Sequence, residues 1–319
     1  MELQTKIHLE PRSENPIDHH SKVLLLGSCF VENIGNQLNY FKFQNLQNPF
    51  GVLFNPVVMD RLIESAIERK VYNEHDVFYM NDHWHCFDVH SKLSSNSKEA
   101  VINKLNESLA ITHDWLKEAS HIIITLGTAW VYKNIKSSNI VANCHKVPQK
   151  EFKKELLSIE TIYKSLESLV ANIRKVNPDT EIIFTISPVR HLKDGFVENT
   201  HSKSHLISAL HAFLSKQDER KTVSYFPSYE IMMDELRDYR FYEEDMVHPN
   251  HTAINYIWQK FRDLWISADS YVVMDEIESI QKGLAHKPFN PESADYKKHH
   301  ERLRSKQEAL RKQFPRIVF

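Results

Sequence analysis

Glycine is rare in this sequence: six glycines occur among 319 residues, whereas average proteins contain about 7%. A chain with so little glycine is expected to keep it where the backbone conformation demands it. Each glycine is therefore a candidate turn or close-contact position, and the six are Gly27, Gly35, Gly51, Gly127, Gly195 and Gly283.

The chain also has few cysteines, a small net charge and no long apolar run. Three cysteines do not form a disulfide framework and are expected to be thiols in a reducing compartment. A formal net charge of −2 removes the usual electrostatic reason to propose a nucleic acid or an anionic membrane as partner. No apolar run approaches the roughly 18 residues of a membrane span, and residues 1–16 lack a secretory signal pattern. We therefore expect a cytoplasmic protein.

The residues that are present fit a folded α/β domain. Hydrophobic residues make up 41% of the chain, enough for a buried core. Short apolar runs alternate with segments of helical period, which is typical of a parallel sheet covered on both faces. The predicted strands are 23–26, 121–126, 181–186 and 222–225, and the predicted helices are 32–41, 57–69, 98–117, 155–176, 202–216, 229–237 and 252–265. We predict a three-layer α/β/α sandwich with a parallel sheet of about five strands.

Three segments are predicted to lie outside this sandwich. Residues 77–89 have the pattern of a hairpin that turns at Asn81 and Asp82. Residues 128–148 have the composition of a loop-rich insertion, and the end of the chain is a charged helical tail. We place the α/β domain at 1–268 and the tail at 269–319, where it either packs on the domain or makes an oligomer contact.

A strand-to-helix turn, Gly27-Ser28-Cys29-Phe30, carries two candidate nucleophiles. Ligands of open parallel sheets bind at the carboxyl ends of the strands, and this places Gly27, Gly51, Gly127 and Ser187 around one edge. A helix N-terminus stabilises negative charge and lowers the pKa of a thiol. The alternative is that Ser28 only caps the helix and Cys29 packs as a small hydrophobic residue.

A second motif, Asp245-Met246-Val247-His248, comes late in the chain. His248 has the right ordinary pKa for a general base near neutrality. Asp245, three residues earlier, can reach back and fix the tautomer of the imidazole. The alternative is a capping aspartate beside a surface histidine.

These two motifs together resemble a known superfamily. A nucleophile turn after the first strand and a late Asp-x-x-His are similar to the end blocks of the SGNH (GDSL-like) esterases and acyltransferases, with Gly51 and Gly127 where its second and third blocks would lie. The segment from Gly27 to Val31 is more similar still to the GSCFA family, named for Gly-Ser-Cys-Phe-Ala. The resemblance covers about residues 20–265, and further similar segments are 127–129, 142–146, 187–191, 225–230 and 234–240.

The resemblance implies an SGNH-like fold and an ester hydrolase or acyltransferase that forms a covalent acyl-enzyme on a small or carbohydrate O-acyl ester. The superfamily nucleophile corresponds to Cys29, and Ser28 on the variable middle position is the alternative. His248 would carry the proton and Asp245 would orient His248. No organic cofactor is implied, although a transferase would need an acyl donor as partner.

The oxyanion donors are less clear from the resemblance. The third block usually offers an asparagine to the oxyanion, and Ala129 occupies that position here. The N–H groups of Cys29 and Gly51 are then the expected donors, or the side-chain amide of Asn48 or Asn143 substitutes.

Further residues are expected around the substrate. Gly127 and Thr128 belong to the third block, and Arg190 and His191 follow the third strand. Arg190 would grip a carboxylate or phosphate, or instead pair with a nearby acid. Lys203 and its neighbour Ser204 would line the pocket, although the start of a surface helix is the simpler interpretation.

Three other functions compete with acyl transfer. Around Cys86 lie His83, His85 and His90, and His145 adjoins Cys144, but their spacing matches no zinc site, so we predict no metal. A metal-dependent hydrolase stays an alternative, because His83 and His85 in a strand would place both rings on one face. A binding module that keeps the fold without turnover is the stronger rival, because Ala129 replaces the usual asparagine. A dinucleotide-binding fold lacks its glycine-rich loop and is excluded.

Overall fold

A computed structural model describes residues 5–11, 14–217, 222–287, 289 and 293–319. The strands are β1 (Lys22–Gly27), β2 (Gln44–Gln47), β3 (Phe78–Met80), β4 (His83–His85), β5 (His121–Leu126), β6 (Trp130–Asn134), β7 (Ile140–Val141), β8 (Phe152–Leu156), β9 (Glu181–Ile186) and β10 (Val223–Tyr225). The helices are α1 (Cys29–Tyr40), α2 (Pro56–Ile67), α3 (Lys98–Glu118), α4 (Ile159–Val176), α5 (Phe196–Leu214), α6 (Ser228–Glu230), α7 (His251–Trp265), α8 (Asp269–Ala285) and α9 (Ala294–Gln313). None of the helices in these ranges has the length and apolar character of a membrane span.

Five parallel strands form the central sheet in the order β10-β9-β5-β1-β2. This confirms the predicted α/β architecture and the number of strands. The edge strand β2 was not predicted, because its Gln-Asn-Leu-Gln sequence has no apolar run. Strand β2 pairs with β1 from Lys22 to Leu25, and all four of its residues are only partly buried.

Alternating residues of β1 divide the core into two halves. Leu24 and Leu26 pack with residues of α2, α3, α4 and α5, whereas Val23 and Leu25 pack with residues of α1 and α7. Successive side chains of a strand point to opposite faces, so one buried apolar run supplies both halves. The sandwich therefore has three layers, as predicted.

The prediction of a loop-rich insertion at residues 128–148 is wrong in part. Strands β6, β7 and β8 form a separate antiparallel sheet in the order β7-β6-β8. Helix α4 consequently begins at Ile159, behind the capping Ser158, and not at 155 as predicted. The Phe-Lys-Lys-Glu-Leu sequence of β8 has weak periodicity, so sequence alone merged it with the helix that follows.

The other two outlying segments match their predictions. Strands β3 and β4 form the hairpin, and both turn residues, Asn81 and Asp82, have positive φ angles of 49° and 61°. Helices α8 and α9 form the tail and pack against each other and against Phe41 next to α1. The guanidinium of Arg316 also contacts Gln44 of β2, so the tail lies over the sheet edge.

Candidate active site

The nucleophile turn is built on a glycine that no other residue can replace without strain. Gly27 ends β1 with φ +138°, and a Cβ placed there would lie 2.2 Å from the carbonyl oxygen of Thr125. Ser28 follows with its N–H donating to the same oxygen at 3.1 Å. The Ser28 hydroxyl accepts from the Phe30 N–H at 3.4 Å and caps α1. Ser28 is 0% exposed, so its side chain is directed into the protein.

Cys29 is the first residue of α1 and is only partly buried. Burial and the carboxylate of Glu32 raise the pKa of its thiol, and these effects outweigh the lowering by Lys203 and by the backbone N–H groups of Cys29 and Phe30. The sequence-based expectation of a lowered thiol pKa is therefore wrong. The free protein carries a thiol at neutral pH, and a base must take its proton during any attack.

Asp245 and His248 form the predicted pair. The carboxylate Oδ2 lies 2.7 Å from His248 Nδ1, and Oδ1 accepts the N–H groups of Val247 and His248 at 2.8 and 3.0 Å. These N–H groups and the imidazole lower the pKa of Asp245 to about 2. Both side chains are about half exposed. Among the hydrogen bonds of the described residues, none joins the imidazole to the Cys29 thiol, so the pair is formed without a direct bond to the nucleophile.

One predicted oxyanion donor is already in use. The Gly51 N–H donates to the Asn48 carbonyl within a turn at 2.7 Å, so it has no free hydrogen for an oxyanion. Asn48 is better placed: its Oδ1 accepts the Gly27 N–H at 2.9 Å, which fixes the amide beside the nucleophile turn. Its Nδ2 makes only a long 3.5 Å contact with Glu32. Asn143 instead accepts the His145 N–H at 2.8 Å, away from this turn.

Gly127 and Thr128 hold the edge of the sheet together. Their N–H groups both donate to the Phe54 carbonyl, at 2.8 and 3.0 Å. The Thr128 hydroxyl and the Ser202 hydroxyl lie 2.9 Å apart, and Ser202 also accepts the Ala129 N–H at 2.7 Å. The N–H groups of Gly127, Thr128 and Ala129 and the Thr128 hydroxyl thus all have partners within the protein.

Lys203 is a residue whose importance the sequence-based interpretation missed. It is 2% exposed, and its Nζ donates to the carbonyls of Gly127 and Ser187 at 2.7 and 2.6 Å. Burial lowers the pKa of its amine to about 7. The expectation of a surface position is therefore wrong for Lys203, whereas Ser204 is exposed. The spacing to the buried Leu206 was the available signal, since residues three apart share a helix face.

Arg190 and His191 leave the end of β9 in different directions. The Arg190 guanidinium stacks on Tyr242 at 4.0 Å from the ring centre, and it forms no ion pair with any acid that the structure describes. The alternative of an ion pair with a nearby acid is therefore not seen among the described residues, and binding of a substrate anion by Arg190 stays a prediction. His191 packs edge-on against Phe54, and its Nε2 is buried without a hydrogen-bond partner in the described part of the chain. Burial, Lys203 and His248 lower the pKa of His191 to about 3, so its ring is neutral.

A cleft of about 490 Å³ adjoins this edge, between the β6–β8 sheet and the β9–α5 connection. Its lining includes Phe54, Thr128, Trp130, Tyr132, Asn143 and His191. Cys29 and His248 do not line this cleft. Among the residues described, no group of three or more His, Cys, Asp or Glu side chains could hold a metal ion.

Comparisons with known proteins give a matching family and several similar solved structures. A model of the GSCFA family matches residues 22–261, and one for the C-terminal domain of GSCFA domain proteins matches residues 277–319. No curated protein matches the chain. One similar solved structure is a carbohydrate esterase family 3 from Talaromyces cellulolyticus, with 9% identity, TM-score 0.36, and coverage of 81% of this chain and 99% of that one. Another is an acetyl xylan esterase from the rumen bacterium Butyrivibrio proteoclasticus, with 11% identity, TM-score 0.38, and coverage of 84% and 65%.

Proposed function

The chain belongs to the GSCFA family, and we propose that it is an SGNH-type ester hydrolase or acyltransferase that works through a covalent acyl-enzyme. The observation that carries this proposal is a partly exposed thiol at a helix N-terminus, on the sheet edge that also holds a preformed aspartate–histidine pair. Nucleophile, base and orienting acid are the three parts that acyl transfer requires.

Cys29 is the proposed nucleophile, and the burial of Ser28 supports this choice. A fully buried hydroxyl that caps a helix cannot reach a substrate carbonyl without undoing the turn. The Cys29 sulfur would bond to the acyl carbon, and the thiol proton would pass to His248. The imidazolium then returns that proton to the departing alkoxide.

Two observations support a role for His248 at this edge of the sheet. Its loop is tied to the end of β9, because the Arg190 N–H donates to the Val247 carbonyl at 3.2 Å. Its charge also acts on His191, which lies against Gly127. Catalytic hydrogen bonds are often long in a free enzyme and shorten in the substrate complex. Asp245 would stabilise the imidazolium during the transfer.

The proposed oxyanion hole combines two donors beside the nucleophile. The Cys29 N–H lies at the first position of α1, where helix N–H groups lack partners within the helix. The Asn48 amide stands next to it, held by the Gly27 N–H. Together they would receive the negative oxygen of the tetrahedral intermediate. Water then attacks the thioester in a hydrolase, and an alcohol does so in a transferase.

The adjoining cleft would hold the rest of a small or carbohydrate O-acyl ester. Its volume lies in the range of small-molecule sites. A binding module without turnover is the second candidate, and one set of observations favours it. The N–H groups of Gly51, Gly127 and Thr128 are all engaged, and the thiol pKa is raised, so few groups are poised for chemistry.

Steady-state kinetics with p-nitrophenyl acetate separate these functions. The wild type should hydrolyse the ester, and Cys29→Ala and His248→Ala should each lower kcat/KM by at least about 100-fold. His251→Ala is the matched control for an exposed histidine and should retain activity. Cys144→Ala removes a second partly buried thiol, which lines the cleft, and should retain kcat. Equal rates for the wild type and Cys29→Ala would favour the binding module.

A further inference from the structure

Lys203 is a cation inside the protein to which the proposed mechanism gives no role. Its side chain leaves α5 on the buried face that also carries Leu206 and Leu210. The Nζ atom donates to the Gly127 and Ser187 carbonyls, which lie just beyond the ends of β5 and β9. An ammonium has three N–H groups, and the third has no acceptor among the residues described. The centre of the Tyr229 ring also lies 5.8 Å from Nζ. The amine is therefore fixed at the sheet edge by two hydrogen bonds and this ring contact.

The sheet brings this amine close to the Cys29 turn. Strand β5 lies between β1 and β9, and Gly27 pairs with Thr125 in register. The Ser28 N–H also bonds to the Thr125 carbonyl, two residues before Gly127. Cys29 and the Lys203 amine thus occupy neighbouring positions along the same edge. Charges separated by protein interior interact far more strongly than charges in water.

We infer that Lys203 is a positioning residue whose buried ammonium stabilises the negative charge that forms on Cys29 Sγ. This inference rests on the proposed role of Cys29 as nucleophile. Glu32 opposes the effect from within α1. The nearby His191 is neutral, and the charge of His248 acts on His191. In support, Lys203 lowers the pKa of the Cys29 thiol, and Cys29 in turn raises the pKa of Lys203.

The first test leaves Lys203 in place and puts a permanent charge opposite it. Cys29→Asp introduces a carboxylate at the helix N-terminus, where carboxylates are favoured, and Cys29→Asn is its neutral control. The ¹³Cε signals of the lysines are followed by NMR against pH, and Lys203 is recognised by a midpoint near neutrality. We expect this midpoint to be at least about one pH unit higher in Cys29→Asp than in Cys29→Asn. Equal midpoints would overturn the inference.

The second test measures the thiol itself. Alkylation of Cys29 by iodoacetamide is followed by peptide mapping between about pH 6 and pH 9. Lys203→Gln keeps two N–H donors for the carbonyls but removes the charge. It should react about fivefold more slowly at pH 7, because half of the wild-type amines are protonated there and each protonated amine lowers the thiol pKa by about one unit. Lys203→Arg keeps the charge and should restore most of the rate. The exposed Lys193→Gln is the control and should react like the wild type.

The outcomes separate a charge effect from a structural one. If Lys203 only holds the strand ends, Lys203→Gln lowers the thermal stability and leaves the alkylation rate unchanged, which overturns the inference. If Lys203→Gln does not fold, the comparison of Cys29→Asp with Cys29→Asn decides alone. Neither test uses an ester. A failure of the proposed acyl transfer is therefore seen separately, as an absence of ester hydrolysis.

Discussion

Ser28 and Cys29 are neighbours in the chain but lie in different environments. The first is fully buried and caps α1, and the second is partly open to solvent. Sequence identified both, because a small polar residue and a thiol at a strand-to-helix turn are equally compatible with a nucleophile. The choice depends on which way the backbone turns after Gly27, and only three-dimensional structure supplies that. The same applies to Lys203, whose amine contacts the carbonyls that follow β5 and β9.

Replacing the capping hydroxyl should affect stability and leave the thiol intact. Ser28→Ala removes the side-chain acceptor of the Phe30 N–H, and such a loss costs about 1 kcal/mol of unfolding free energy. Ser97→Ala at the start of α3 is the matched control for a cap far from the site. Urea unfolding should show similar losses in both, with Cys29 alkylated at the wild-type rate. Loss of esterase activity in a folded Ser28→Ala protein would instead make Ser28 the nucleophile.

The buried amine of Lys203 determines the direction in which part of the protein's stability changes with pH. Its pKa falls from the ordinary 10.5 to about 7 in the folded protein, so the unfolded chain binds more protons between these values. Its contribution to stability therefore rises with pH across that window, by up to about 1.4 kcal/mol per pH unit. Lys203→Met should show a flatter rise in urea unfolding between about pH 7 and pH 9.5, and the exposed Lys193→Met should follow the wild type. Parallel curves of unfolding free energy against pH for all three proteins would contradict this role of Lys203.

At the scale of elements, the sequence predicted the strands and helices whose hydrophobic pattern is strong. Apolar runs such as β5 and β9 and the capped helices were found within a few residues of their ends. Strands β2, β6 and β8 were missed or merged because they are short, polar or exposed, and pairing with a neighbour stabilises them. The cleft formed with the β6–β8 sheet was consequently invisible in the sequence.

The turn after β1 is the element that tolerates least change. Gly27→Ala puts a methyl group against the Thr125 carbonyl at a positive φ, so the backbone itself must move. We expect a loss of more than about 2 kcal/mol of unfolding free energy and loss of esterase activity. Gly35→Ala in α1 is the control, since its Cβ meets only the flexible end of Gln47. Equal stability of the two variants in urea would show that this turn is not strained.

For the whole molecule, the sequence predicted the layered sheet and the helical tail but not how they join. The tail is held by a small apolar cluster that includes Ile277, Ile280, Leu310 and Ile317. These residues are sparse in a strongly charged segment, so they gave a weak signal. Their contact with Phe41 links the tail to the end of α1, the helix that begins at Cys29.

The attachment of the tail can be weakened without touching the site. Leu310→Ala removes a buried side chain from this cluster and should cost about 2 kcal/mol or more of stability. Hydrogen exchange should then increase in α8 and α9, with esterase activity unchanged at low temperature. Lys312→Ala, exposed on the same helix, should change neither. If exchange in the tail were unaffected by Leu310→Ala, the cluster would not be what holds it.

The central claim is that Cys29 carries the acyl group. Brief reaction with p-nitrophenyl acetate at neutral pH, followed by acid quenching and intact-mass and peptide analysis, tests it most directly. The account predicts one acetyl group, on the peptide that contains Cys29, absent in Cys29→Ala and present in Cys144→Ala. Ester turnover with no adduct, or with the adduct on a different residue, would contradict it.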